Sequence, residues 1–138
     1  MRLSFNKIKV SRSSMAKLTV LKRRTGLNPN LVCRIGLCMS LEEPGLPSLE
    51  IDEEGSEFNR YTLTGDWDDV FMALLTERLH ADGIHTDEEA LVYLKAHVNR
   101  GVSMVYSRLK SLSDLERIFT RKEEERSAPD EKTSIPRS

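Results

Sequence analysis

The sequence has few of the residues that disulfide frameworks, metal sites and membrane spans require. Its two cysteines, Cys33 and Cys38, cannot form a disulfide framework. On one helix, five positions apart, they would point about 140° away from each other, so we interpret them as buried structural thiols. No apolar run approaches the roughly 20 residues of a membrane span, and no signal peptide pattern is recognisable. We expect a cytoplasmic globular protein.

A catalytic centre is also missing from the sequence. The seven glycines are scattered and form no phosphate-binding loop. The histidines have no cysteine or carboxylate neighbours at zinc-site spacing, and no serine or cysteine lies in a nucleophile motif. The acidic cluster of Asp66, Asp68 and Asp69 is explained by the positive end of a helix dipole. We therefore expect no enzyme, no cofactor and no metal.

The most informative absence is that of acidic residues from the first 41 positions. This segment carries nine lysines and arginines and no aspartate or glutamate, whereas the rest of the chain holds 12 basic and 22 acidic residues. The net charge of −1 hides this asymmetry. A segment of one charge sign favours nucleic acid or another polyanion as partner. The alternatives are a solvated basic face and a face that meets the chain's own acidic part.

The first 25 residues predict a strand followed by a helix. Residues 2–10 alternate partly between apolar and basic side chains, as in a short strand or an extended arm. Ser13 or Ser14 can cap a helix over residues 15–24. Three cations suit the last turn of this helix, and Gly26 can end it in the left-handed conformation.

The next segment predicts a second, unusually apolar helix. Asn28 and Pro29 are a helix start signal for residues 29–41. Apolar side chains surround this helix, so it has to be buried on every side. In a chain this short, a second copy is the simplest source of that burial, and Gly36 would admit a close neighbouring helix. We therefore expect a homo-oligomer.

The remaining chain predicts a loop, several helices and a charged tail. Prolines, glycines and acids between residues 42 and 65 indicate a long loop. We predict helices over residues 66–82, from a capping box at Thr86 to about residue 98, over 102–112, and briefly from Ser113. The expected fold is thus mainly α, a single compact helical domain over residues 1–120 with a short N-terminal strand or arm. Its strand–helix–helix order also fits a ribbon-helix-helix arrangement. We expect residues 121–138 to be a disordered charged tail.

Three segments carry a family resemblance. They are RRTGLNPNLVCRIGLCMSLEEPG, EFNRYTLTGDWDDVFMALLTERL and HVNRGVSMVYSRLKSLSDL, in this order. They resemble the small DndE proteins of the bacterial Dnd system, over roughly residues 1–120. The Dnd system replaces a non-bridging phosphate oxygen of DNA with sulfur. The resemblance implies a DNA-binding accessory protein, because other components carry the desulfurase, iron–sulfur and ATPase functions.

The resemblance also implies partners and site residues. Members of the family are mainly helical homotetramers that bind duplex DNA, preferably nicked DNA. The resemblance also implies that the other Dnd modification proteins are partners. No membrane partner is expected. The basic residues that match by position are Lys17, Lys22, Arg23 and Arg24, with Arg34 inside the same block. Arg12, in the same acid-free segment, completes the predicted DNA-binding set.

Two other functions remain open at this point. A ribbon-helix-helix-like regulator would form a dimer and prefer an operator sequence, because its strand side chains read the major groove. An assembly adaptor would use its acidic half to bind the modification proteins and would barely touch DNA. If the protein instead binds DNA through its phosphates, we expect little sequence preference and an oligomer larger than a dimer.

Overall fold

The computed structural model describes residues 3–111, 113, 114 and 116. Two short strands and five α-helices form the fold. In chain order they are β1 (Lys7–Lys9), α1 (Arg12–Thr25), α2 (Pro29–Glu42), β2 (Glu57–Asn59), α3 (Arg60–Thr64), a single 3₁₀ turn (Gly65–Trp67), α4 (Asp68–Ala81) and α5 (Asp87–Arg108). The prediction of a mainly helical fold with a short N-terminal strand is confirmed. The predicted tail lies outside the described residues, as does most of the predicted helix from Ser113.

Helix α1 begins earlier than its sequence predicted. Its cap is Ser11, whose hydroxyl accepts a hydrogen bond from the backbone N–H of Ser14 at 3.0 Å. The predicted caps, Ser13 and Ser14, lie inside the helix, and the buried Ser14 hydroxyl donates to Asn99 of α5 at 2.6 Å. The end of α1 is as predicted: Gly26 has φ +78°, and its N–H bonds the carbonyl of Lys22.

The centre of the fold is the contact between α2 and α5. Gly36 of α2 and Gly101 of α5 lie backbone to backbone, so close that a Cβ on Gly101 would come within 2.2 Å of the Gly36 carbonyl. The predicted close approach at Gly36 is confirmed. Its neighbour is another helix of the same chain, and that helix buries much of the apolar surface of α2. Leu31 of α2 stays exposed, and the expected homo-oligomer stays a prediction.

Helix α5 runs unbroken through the predicted break at residues 99–101. Its start at the Thr86 capping box is confirmed, since the Thr86 side chain accepts from the N–H of Glu89. The apparent break consists of residues used for packing. Asn99 bonds its own helix, through Lys95, and also bonds the start of α1, while Gly101 is the close-contact residue.

The predicted loop over residues 42–65 contains β2 and α3, which the sequence analysis missed. β2 pairs antiparallel with β1, with the buried Ile8 opposite the buried Phe58. Three residues are too few for an alternation pattern to be seen. β1 thus has its strand partner in its own chain, whereas a ribbon-helix-helix protein takes that partner from a second copy.

Helix α4 begins two residues later and ends one residue earlier than predicted. Phe71, Leu75 and Leu79 are buried, whereas Val70 and Leu74 are about half exposed. Gly83, with φ +79°, follows its end. In the part of the chain that the structure describes, no helix has both the length and the apolar character to cross a membrane.

We expect Gly101→Ala to lower the free energy of unfolding by at least about 2 kcal/mol. The new methyl group meets the Gly36 backbone, which cannot rotate away, and overpacking of this kind outweighs the better helix propensity of alanine. Val92→Ala, at an exposed position of the same helix, should change stability by less than about 1 kcal/mol. Urea unfolding of both variants checks this, and equal stabilities would contradict the proposed role of the glycine contact.

Candidate nucleic-acid interface

Helix α1 carries four of the predicted DNA-binding residues at its middle and its C-terminal end. Lys22, Arg23 and Arg24 are exposed in the last turn, and Lys17 is half-buried two turns before Arg24, on the same side of the helix. Cations are favoured in the last turn because the unpaired carbonyls at a helix C-terminus carry partial negative charge. We call these four residues the α1 basic face.

Neutral groups hold three cations of the α1 basic face. The Lys17 ammonium donates to the Ser103 hydroxyl at 2.9 Å, and the Lys22 ammonium donates to the Asn28 side-chain oxygen at 2.8 Å. The Tyr106 ring lies close to two cations, with its centroid 5.9 Å from Lys17 Nζ and 5.5 Å from Arg24 Cζ. Among the described residues, no salt bridge involves any member of the face. Within the described part of the chain, these cations are therefore positioned without an ion pair.

Arg12 lies at the other end of α1, in a different electrostatic environment. Its guanidinium forms an ion pair with Glu54 at 2.7 Å, and its backbone N–H donates to Asp52 at 2.9 Å. That hydrogen bond, with a second one from the N–H of Glu54, holds the pKa of Asp52 below its usual value. At this end, the basic segment does meet the chain's own acidic part.

Arg34 is engaged with α3 instead of joining the α1 basic face. Its Nε donates to the carbonyl of Leu63 at 2.7 Å and its Nη2 to that of Thr62 at 2.9 Å. A Cβ at Gly65 would come within 2.8 Å of the same guanidinium. Arg34 thus satisfies carbonyls at the end of a short helix that would otherwise lack partners.

Three residues of α5 that contact α1 were not predicted from the sequence. Asn99, Ser103 and Tyr106 all contact α1, and their spacings of four and three place them on one side of a helix. This signal was present in the sequence. It was lost because α5 was predicted to break at residues 99–101, which separates Asn99 from the other two.

A second polar cluster is built around Arg78 and Arg100 at the C-terminal end of α2. Arg78 Nη1 donates to the carbonyls of Leu41 and Glu43, at 2.7 and 2.8 Å. Arg100 Nη2 donates to the carbonyl of Ser40 at 2.8 Å. These bonds satisfy the last carbonyls of α2. The cluster is therefore a structural cap, because most of its donors are already used by the backbone.

His97 is the buried member of this cluster. The Ser40 hydroxyl accepts a hydrogen bond from Arg100 Nε and is hydrogen-bonded to His97 Nδ1 at 2.8 Å. The other ring nitrogen, Nε2, is buried and has no hydrogen-bond partner among the described residues. Burial, together with the positive charges of Arg100 and Arg78, lowers the pKa of His97 to about 4. The ring is neutral at physiological pH.

Neither cysteine is a reactive nucleophile. Burial raises the pKa of the Cys33 thiol to about 12. The pKa of the half-buried Cys38 is also raised, by burial first and then by Glu42. Thiols with raised pKa values are poor nucleophiles at neutral pH. Within the described ranges, no three histidine, cysteine or acidic side chains are arranged to hold a metal ion.

Fold and surface together define a small, mainly helical protein whose α1 basic face forms no ion pair with other described residues. A family model described as "DNA sulphur modification protein DndE" matches residues 7–113. The chain belongs to the DndE family, and this membership gives it a role in DNA phosphorothioation.

Two solved structures share the fold. One is the crystal structure of DndE from Escherichia coli B7A, described as involved in DNA phosphorothioation modification. It is 22% identical, with a TM-score of 0.63, and the match covers 76% of this chain and 99% of that one. The other is a DndE mutant with glycines replaced by lysine, involved in DNA phosphorothioation. It is 20% identical, with a TM-score of 0.60, over 75% and 99% of the two chains. No curated protein matches the chain.

The neutral, buried His97 predicts that acid destabilises the fold. Its pKa is about 4 in the folded state and 6.5 in the unfolded state, so the unfolded state binds the proton more tightly. The stability is complete above about pH 7 and is lost as the pH falls through 6.5 towards 4. We expect a loss of about 2 kcal/mol in unfolding free energy between pH 8 and pH 5.

The matched control is His97→Asn, which keeps an acceptor for the Ser40 hydroxyl and cannot titrate. Chemical unfolding at several pH values should show a flatter pH dependence for this variant between pH 8 and pH 5. The same pH dependence in both proteins would show that another group is responsible.

Proposed function

We propose that the protein is a cytoplasmic, non-catalytic accessory protein of DNA phosphorothioation that binds duplex DNA, nicked DNA in particular, through phosphate contacts. The observation that carries the proposal is the α1 basic face. Three of its cations follow one another in the last turn of α1, Lys17 and Arg24 contact the same ring, and no ion pair between described residues involves any of the four. A DNA phosphate is the complementary ligand that the family's role supplies.

The proposed mechanism is electrostatic. Lysine and arginine neutralise phosphates and release condensed counterions, which makes binding salt-dependent and largely independent of sequence. A preference for a nick follows from the easier deformation of an interrupted backbone. No base-reading element is needed.

The six predicted residues are not expected to contribute equally. Lys17, Lys22, Arg23 and Arg24 are proposed as the phosphate-binding set. Arg12 is already paired with Glu54, so its contact with DNA would first have to replace an internal ion pair. Arg34 would have to leave two carbonyls of α3. We propose minor contributions from both.

We also propose that copies of the chain associate through α4, as a tetramer that places several basic faces on one assembly. Support comes from an exposed apolar stripe at helical spacing: Trp67 is 65% exposed, and Val70 and Leu74 are each 48% exposed. Clustered apolar side chains of this size mark interaction sites. Several faces on one assembly would raise DNA affinity through effective concentration. The other Dnd modification proteins are the further partners that the proposed role requires.

Replacing Lys22, Arg23 and Arg24 together with alanine should weaken DNA binding by at least tenfold at moderate salt. The slope of log K against log salt should become shallower by about 2.7, because three phosphate contacts are removed. Arg12→Ala is the matched control, since it removes a cation of the same helix that an internal carboxylate already neutralises. It should change the affinity by less than about threefold.

Binding is measured by fluorescence anisotropy with intact, nicked and single-stranded DNA at several salt concentrations, with circular dichroism as the check on folding. Unchanged affinity of the folded triple variant would refute phosphate binding by this face and favour the adaptor. Strong preference for one duplex sequence would contradict a mechanism of phosphate contacts alone, because phosphates carry no sequence information.

Trp67→Glu should lower the oligomer mass in solution, because it places a charge at the most exposed residue of the apolar stripe, immediately before α4. Leu46→Glu, at a 58% exposed apolar position outside α4, is the control and should leave the mass unchanged. Sedimentation velocity measures both. An unchanged mass for Trp67→Glu would place the subunit interface elsewhere.

A further inference from the structure

Two like charges of the α1 basic face share one aromatic partner. Lys17 and Arg24 are two helical turns apart, a rise of about 10.5 Å, and both cationic groups lie within 6 Å of the Tyr106 ring centroid. Like charges repel, so an attractive partner common to both stabilises this arrangement.

The holding group is an aromatic ring, which differs from a carboxylate in one essential way. The negative face of the ring attracts a cation through its quadrupole and carries no net charge. Two other cations of this chain are held by carboxylates: Arg12 by Glu54, and Lys95 by Glu53. Those pairs position a cation and cancel it, whereas Tyr106 positions two and leaves their charge available.

Tyr106 is itself firmly placed. It lies in α5, packs against the hydrophobic core, and is only partly exposed. One turn before it, Ser103 accepts the Lys17 ammonium at 2.9 Å. The anchor is thus tied to the α2–α5 contact at the centre of the fold, while Arg24, one of the two cations that it holds, is exposed.

We propose that Tyr106 is a positioning residue for the phosphate ligand: its ring holds Lys17 and Arg24 as a preorganised pair of uncancelled positive charges. Ordering two long, flexible side chains before DNA arrives removes part of the entropic cost of binding. The inference rests on the proposed function, and Tyr106 acts through the two cations without having to touch DNA.

The test is a comparison of Tyr106→Phe with Tyr106→Leu in the full chain. The phenylalanine ring keeps the cation–π contacts, so its DNA affinity should stay within about twofold of wild type. The leucine variant should bind duplex DNA roughly five- to thirtyfold more weakly. Its salt slope should be unchanged, because no charge is removed, whereas each lost phosphate contact lowers the slope by about 0.9.

A double-mutant cycle separates positioning from mere packing. In a Lys17→Ala, Arg24→Ala background, Tyr106→Leu should have little further effect, because the ring has no cations left to hold. An equal weakening in both backgrounds would overturn the proposal, as would wild-type affinity of Tyr106→Leu or a loss in Tyr106→Phe as large as in the leucine variant. Tyr106→Met, with a flexible side chain that fills core gaps, replaces the leucine variant if thermal unfolding shows that the latter is unfolded.

Failure of this inference is distinguishable from failure of the proposed function. Suppose that the triple variant with alanine at positions 22, 23 and 24 loses DNA affinity, while the Tyr106→Leu variant keeps it. The α1 basic face then binds phosphate without help from the ring. If the charge variant binds normally, phosphate binding by the face is itself refuted.

Discussion

The close contact between Gly36 and Gly101 is the constraint on which the rest of the structure depends. Without a Cβ on either residue, the backbones of α2 and α5 meet directly, and their apolar flanks pack over a long distance. The contact keeps α5 straight where its sequence resembles a break. It also buries most of α2 within its own chain. Helix α5, once fixed in this way, becomes the support against which α1 is aligned.

Alignment of α1 on α5 determines the character of the basic segment. Ser14 contacts Asn99, Lys17 contacts Ser103, and Arg24 contacts Tyr106, so the two helices run side by side in the same direction. At the start of α1, acidic residues of the segment before β2 neutralise Arg12. At its end, the partners are a hydroxyl, an amide oxygen and an aromatic ring. One acid-free stretch is thereby divided into a neutralised end and an end that keeps its charge, and only the second is suited to a polyanion.

The polar cluster at the end of α2 shows why buried cations alone do not indicate a functional site. Arg78 and Arg100 converge there beside the neutral His97, as they would around an anionic ligand. Their donors, however, are directed at backbone carbonyls of residues 40–45. The two arginines stabilise the fold because they satisfy carbonyls that the helix leaves without partners. The difference between this cluster and the α1 basic face is whether donors remain available.

Much of the local structure and the family could be predicted from the sequence by itself, because those features depend on neighbouring residues. Helix starts at Asn28 and Thr86, the helix end at Gly26, the acid-free segment and the family motifs all belong to this class. Tertiary structure alone decided the rest. A three-residue strand pair, the continuity of α5 and the burial of α2 depend on contacts between distant residues, which periodicity cannot show. The same holds for the charges, since only the folded chain decides whether a cation meets a carboxylate, as Arg12 does, or an aromatic ring.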